Sequence, residues 1–195
     1  MASTSDDEWL TAVASRTHRC FGDLGKIRVG IKTTADKIFI RSDWNDLPAD
    51  DQPEVLRPVV THHNAGRFSG TLVAAQPMVL YPHVTDGGKR RPIRLEDYPK
   101  TARYLEKHRA KLEGRSYVAD AGRAWYEIWV PHDPDLWTLP KIVFRDISAK
   151  PEFWLDRSGA VVNGDCYWLA PSPGTSEDLM FLALAVANSS FIECF

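Results

Sequence analysis

Val29-Gly30-Ile31-Lys32-Thr33-Thr34-Ala35-Asp36-Lys37-Ile38-Phe39-Ile40 is the stretch around which the chain is organised. Ile27, Val29 and Ile31 alternate with Lys26, Arg28 and Lys32, the two-residue period of a strand with one buried face. Ile38 and Ile40 resume that period, so the spacing predicts two short strands joined by a polar turn. Gly30 has no Cβ to hinder another backbone, and Thr33, Thr34 and Asp36 carry groups that hydrogen-bond a turn or a ligand. The pattern fits a hairpin with a solvated basic face, or a binding loop in which Lys32 and Thr33 make the contacts.

The 195 residues are 44% hydrophobic and 26% charged, ordinary for a globular chain, and no repeat or linker divides them. One domain over residues 1–195 is expected. Three scattered cysteines, Cys20, Cys166 and Cys194, lack disulfide or zinc spacing. The N-terminus is acidic rather than basic then apolar, and no apolar run is long enough for a bilayer. A cytoplasmic protein with no membrane partner is the expectation. The net charge of −2 conceals an asymmetry: Lys89 to Arg115 holds ten basic residues against four acids, leaving −8 elsewhere. One face meeting a polyanion, or a solvated charged helix, produces such a distribution.

Along the chain, Ser5-Asp6-Asp7-Glu8 has capping-box spacing before a helix with Trp9, Leu10 and Val13 as its apolar stripe. Residues 42–52 read as a loop. Leu56 to Val60, Leu72 to Ala75 and Met78 to Tyr81 read as strands, with His62-His63-Asn64 as a turn. Asp86-Gly87-Gly88 is a turn signal from which Lys89, Arg90 and Arg91 project, placed to touch phosphates or simply to be solvated. Asp97 to Glu113 has the period of one basic central helix, stopped at Gly114. Trp125 to Val130 reads as an aromatic strand, followed by a His132–Asp135 loop. Lys141 to Ile147, Phe153 to Leu155 and Cys166 to Leu169 complete the strands, with Lys141 and Arg145 sharing a side. Ser176-Glu177-Asp178 starts an apolar, buried C-terminal helix. The fold class expected is α+β, with mainly antiparallel strands, a basic central helix and apolar helices at both termini.

The organising stretch resembles the v-G-I-x-T-G-x-x-x-v-F strand that opens the TaqI-like C-terminal specificity domain. That domain is the target-recognition module of adenine-specific DNA methyltransferases in type II restriction-modification and related phage-defence systems. Leu56-Arg57-Pro58-Val59-Val60, Leu80-Tyr81-Pro82, Tyr98-Pro99 and Trp125-Tyr126-Glu127 resemble its successive blocks in the same order. Pro140 to Phe144 with Asp146-Ile147, Phe153-x-Leu155-Asp156-x-x-Gly159 and Asn188-Ser189 continue the match, which spans roughly residues 22 to 190. Thr34 stands where a second glycine is common, and His83 where an aromatic often follows Tyr-Pro.

The resemblance implies a specificity unit, separated from or encoded beside a methyltransferase, that binds double-stranded DNA. It also implies a parent that is a site-specific DNA adenine methyltransferase, with or without restriction endonuclease activity. The parent's cofactor would be S-adenosylmethionine. This chain lacks the glycine-rich methyl-donor turn and the Asn/Asp-Pro-Pro-aromatic motif, as well as Glu-x-Lys, Gly-x-Ser-x-Gly and His-Glu-x-x-His signatures. No catalytic, cofactor or metal residue is therefore assigned. Candidate DNA contacts, chosen by charge and position, are Lys32, Thr33, Lys89, Arg90, Arg91, Arg115, Lys141 and Arg145. Two other readings stay open: a module that docks a methyltransferase or defence subunit, and a small metal-dependent hydrolase using His62 or His132 with an aspartate.

Overall fold

The computed structural model describes residues 4–71 and 75–193. Its helices are α1 (Thr4–Arg16), α2 (Phe21–Leu24), α3 (Asp36–Phe39), α4 (Pro99–Lys107), α5 (Arg109–Glu113), α6 (Ser116–Asp120), α7 (Glu177–Ala187) and α8 (Ser190–Glu193). Its strands are β1 (Gly25–Val29), β2 (Ile40–Arg41), β3 (Leu56–Val60), β4 (Met78–Leu80), β5 (His83–Asp86), β6 (Lys89–Pro92), β7 (Lys141–Arg145), β8 (Phe153–Asp156), β9 (Val161–Val162) and β10 (Cys166–Pro171). This is an α+β fold. One sheet has the order β1-β10-β7-β8 and is antiparallel throughout; the second, β2-β4-β3-β9, is antiparallel except for the β3–β9 pair. β5 and β6 form a separate hairpin.

Period-two alternation sorts the first sheet into two faces. Ile142 and Leu169, paired across β7 and β10, pack with Leu24 of α2 and Met180, Ala183 and Leu184 of α7. Val143, Trp154 and Trp168 point the other way, into the main core with Val59, Leu80, Tyr81, Leu105, Leu112 and Val161. Each such fully buried side chain contributes about 1.5–3 kcal/mol of transfer free energy.

The organising stretch is not a hairpin. β1 pairs with β10 and β2 with β4, so its two halves belong to different sheets. Between them the chain crosses over: the Gly30 amide donates to the Cys166 carbonyl at 2.8 Å and the Ile31 amide to Val162 at 2.8 Å. A Cβ on Gly30 would collide with the Asn163 carbonyl oxygen, so glycine is what lets the two backbones meet. After the crossover, residues 36–39 turn into α3 rather than a second strand.

Other expectations shift as well. The central helix is broken at His108 into α4 and α5, although Leu105 and Leu112 both reach the core. Trp125 to Val130 is a loop that touches β structure only through a bridge from Val130 to Lys32. The strand expected over 72–75 falls mostly outside the described residues, as does Cys194, and Ser5, expected to cap the first helix, lies inside α1. α7 is capped by Ser176, whose hydroxyl accepts from the Leu179 amide at 3.3 Å, but it is buried on one face only. Leu182 on its outer face is 60% exposed. No helix among the described residues is long and apolar enough to cross a membrane.

Candidate functional site

The crossover ends in an open cleft of about 580 Å³, lined by Ile31 through Lys37, by Lys111 of α5 and by Asn163, Gly164 and Asp165. Lys32, Lys37 and Lys111 are exposed, and among the described residues none forms an ion pair. Other surface cations are paired: Arg41 with Asp43, Arg103 with Asp50, Lys107 with Asp51, and Arg109 with Glu106 and Glu113. The cleft's own acids are engaged. Asp36 accepts from the Thr33 hydroxyl. Asp165 accepts from the His62 amide at 3.2 Å and lies 2.6 Å from His62 Nδ1. Unpaired ammonium groups converging on one concavity make a site for polyanion.

A buried arginine holds the turn in place. Arg115 donates from Nη1 to the Thr33 carbonyl at 3.0 Å, from Nη2 to Trp125 at 2.6 Å and from Nε to Leu112 at 3.1 Å. Its planar fork thereby ties the turn to α5 and to the 125 loop, and burial lowers its affinity for the proton. The turn has a left-handed residue at Thr34, φ +59°. This is where the resembling family commonly has glycine, the residue that such a φ favours.

The β5–β6 hairpin stands beside the cleft. Lys32 and Val130 exchange backbone hydrogen bonds at 3.0 and 3.3 Å, and the next residue, Pro131, accepts from Arg90 Nη1 at 3.1 Å. Lys89, Arg90 and Arg91 are exposed on β6, with Arg91 3.2 Å from Asp86 across the hairpin. Of the sequence candidates, Arg90 is thus tied to the segment that bonds Lys32, with Lys89 and Arg91 as its neighbours on β6.

The four other candidates are engaged within the protein. Lys141 is fully buried, with Nζ 2.6 Å from Asp156 Oδ2 and donating to the Trp137 carbonyl at 3.1 Å. Burial lowers its proton affinity and Asp156 opposes the shift. The inference that it shares a side with Arg145 was right about alternation, but that side is core. Arg115 is the buried clamp already described, and the side chain of Thr33 is turned inward to Asp36. Arg145 is half-buried against Glu152 at 2.9 Å. Sequence reasoning missed Lys37 and Lys111, because period and charge do not show that the two line one cleft.

The histidines of the hydrolase reading have other partners. His132 Nε2 lies 2.8 Å from the Val29 carbonyl and its ring meets Trp137 and Trp168 edge-on, so it packs rather than reacts. His62 faces Asp165, but among the described residues no three His, Cys, Asp or Glu side chains gather as a metal site.

No protein-family model matches the chain. It is 39% identical over 194 residues to the type II methyltransferase M.BanIII of Aneurinibacillus aneurinilyticus, a match covering 98% of this chain and 33% of that protein. It is 26% identical over 167 residues to M.BstVI of Geobacillus stearothermophilus and to M.PaeR7I of Pseudomonas aeruginosa, both type II methyltransferases, over 86% of this chain and 28% of each relative. The chain therefore spans about a third of the length of the curated relatives it matches. Among solved structures, the Type IIL restriction-modification enzyme MmeI, determined in complex with DNA, superposes with a TM-score of 0.56. That superposition covers 91% of this chain and 22% of MmeI at 14% identity, a likeness of fold.

Proposed function

We propose that this chain is the target-recognition unit of a type II, adenine-specific DNA methyltransferase, a TaqI-like specificity domain that grips duplex DNA without a catalytic centre of its own. The observation that carries the proposal is the convergence on one cleft of Lys32, Lys37 and Lys111, which form no ion pair among the described residues, with Arg90 of the basic hairpin tied to the adjoining segment through Pro131. The similarity to a third of several type II methyltransferases, and the fold shared with an enzyme solved on DNA, support it. In this reading the lysines position the duplex through its phosphates, and uncharged groups in the cleft read base edges. The catalytic part of the parent would flip and methylate the adenine. S-adenosylmethionine would be bound by that part, since the glycine-rich methyl-donor motif does not occur in this sequence.

The experiment is a titration of this chain with mixed-sequence duplex DNA at several salt concentrations. Each phosphate contact contributes about 0.9 to the slope of log affinity against log salt, so replacing the three cleft lysines with serine should flatten the slope by up to about 2.7. An unchanged slope would overturn the assignment of the cleft.

A second reading rests on a different surface. Phe181, Leu182 and Val186 are exposed on α7, above an apolar groove of about 160 Å³ shared with Cys20, Phe21 and Leu24. This face lies across the first sheet from the main core, and the relatives are about three times as long as this chain. Its occupant would be the catalytic part of the same parent, so docking and recognition are compatible roles of two separate faces.

A further inference from the structure

Thr34 is the residue of the cleft that the backbone least favours. A β-branched side chain at φ +59° is strained, and glycine would relieve it, so the turn alone does not explain threonine here. The side chain is exposed and lines the cleft among Lys32, Lys37 and Lys111. Its hydroxyl is engaged on the inner side of the turn. Oγ1 donates its proton to the Thr33 carbonyl at 2.6 Å, and that carbonyl is itself anchored by buried Arg115. What Thr34 offers outward is therefore the lone pairs of Oγ1, together with a methyl group.

We propose that Thr34 is a specificity-determining residue that reads a base edge in the major groove as a hydrogen-bond acceptor. Its partner would be an exocyclic amino group, N6 of adenine or N4 of cytosine. Thymine O4 and guanine O6 are acceptors themselves and would face the lone pairs of Oγ1 without a proton between them. The inference rests on the reading of the cleft as a DNA surface and adds to it the chemical class of base.

The test is selection of bound duplexes from a randomised pool by the full chain, with salt slopes and denaturation midpoints measured in parallel. Wild type should enrich adenine or cytosine over guanine and thymine at one position of one strand. Thr34→Val keeps the shape and the strain but removes the acceptor; it should lose that preference, by roughly fivefold for one hydrogen bond, with an unchanged salt slope. Thr34→Ser should retain the preference. Thr34→Gly, which the backbone accommodates, should raise the denaturation midpoint while abolishing the preference, so the test does not depend on a strained variant folding. Wild-type preference in the valine or glycine variant would overturn the proposal, as would uniform weakening with preference intact, or DNA binding by wild type without base preference. Failure of wild type to bind any duplex would instead overturn the underlying reading of the cleft.

Discussion

Replacing His83 with phenylalanine should stabilise the protein, increasingly so as the pH falls. The imidazole is buried, and among the described residues neither ring nitrogen has a hydrogen-bond partner. The nearest carboxylate oxygen, Glu127 Oε2, is 3.9 Å from Nδ1, beyond hydrogen-bonding reach. Burial first, then the charges of Arg90 and Arg123, push the imidazole down to about 3, so at neutral pH the ring is an uncharged aromatic packed edge-on to Tyr81. Each buried polar group left unpaired costs about 1–3 kcal/mol, and the ring carries two. Phenylalanine removes that cost but is larger, and overpacking returns about 1–3 kcal/mol. Setting the midpoints of these ranges against each other gives a net gain of about 2 kcal/mol at pH 7.5, at roughly 2–4 °C in Tm per kcal/mol for a chain of this size.

The pH dependence has a definite sign. The folded-state value lies below the ordinary 6.5, so the unfolded chain takes up the proton first. The stability tied to neutral His83 is complete above pH 6.5 and is lost as the pH falls toward about 3, at up to about 1.4 kcal/mol per pH unit. Other groups titrate equally in both proteins, so the difference between wild type and His83→Phe isolates this one. Urea unfolding followed by tryptophan fluorescence at pH 7.5, 6 and 5 would measure it. A less stable variant at pH 7.5, or stability curves that run parallel below pH 6.5, would refute the reasoning.

Lys141→Ala should cost about 3–5 kcal/mol in chemical denaturation by stranding Asp156, whereas Lys141→Met combined with Asp156→Leu should be nearly neutral; equal losses in both would show that packing, not charge, holds the site. Arg115→Lys should cost about 2 kcal/mol, because an ammonium cannot reach three carbonyls in a plane, and it should weaken DNA binding by loosening the Thr33 turn; full binding in the variant would separate the clamp from the cleft. Leu182→Asp with Val186→Asp should change stability by less than about 1 kcal/mol, since both side chains are exposed, yet abolish co-elution with the catalytic portion of a parent methyltransferase. A loss above about 2 kcal/mol would place them in this unit's own core, and undiminished co-elution would move the docking face elsewhere.

Local pattern was enough for features whose partners are near in sequence. The β5–β6 hairpin was legible because Gly87 and Gly88 take φ +55° and +72°, which few other residues tolerate. β7, β8 and β10 were legible from alternation, and the start of α7 from the Ser176 cap. The need for glycine at position 30 was also readable, although not the carbonyl it makes room for. Glu54 shows the limit of such reading. Its carboxylate accepts from the Lys100 and Thr101 amides at 2.9 and 2.7 Å, completing the start of α4 from a distant segment that no capping pattern includes.

The sequence by itself determined the α+β class, most of the strands with a two-residue period, the tight turns and the uneven distribution of charge, because each depends on residues within one turn or one strand of each other; α3, where Ile38 continued the strand period, is the exception. Tertiary structure alone decided that β1 and β2 part to different sheets, that the face of β7 bearing Lys141 is interior, and that Lys37 and Lys111 share a cleft with Lys32. Strand partner, sheet face and convergence of charge are set by the packing of distant segments, where burying the largest apolar area outweighs local preference. The same alternation can describe an outward lysine or a buried one, and only the opposing layer distinguishes them.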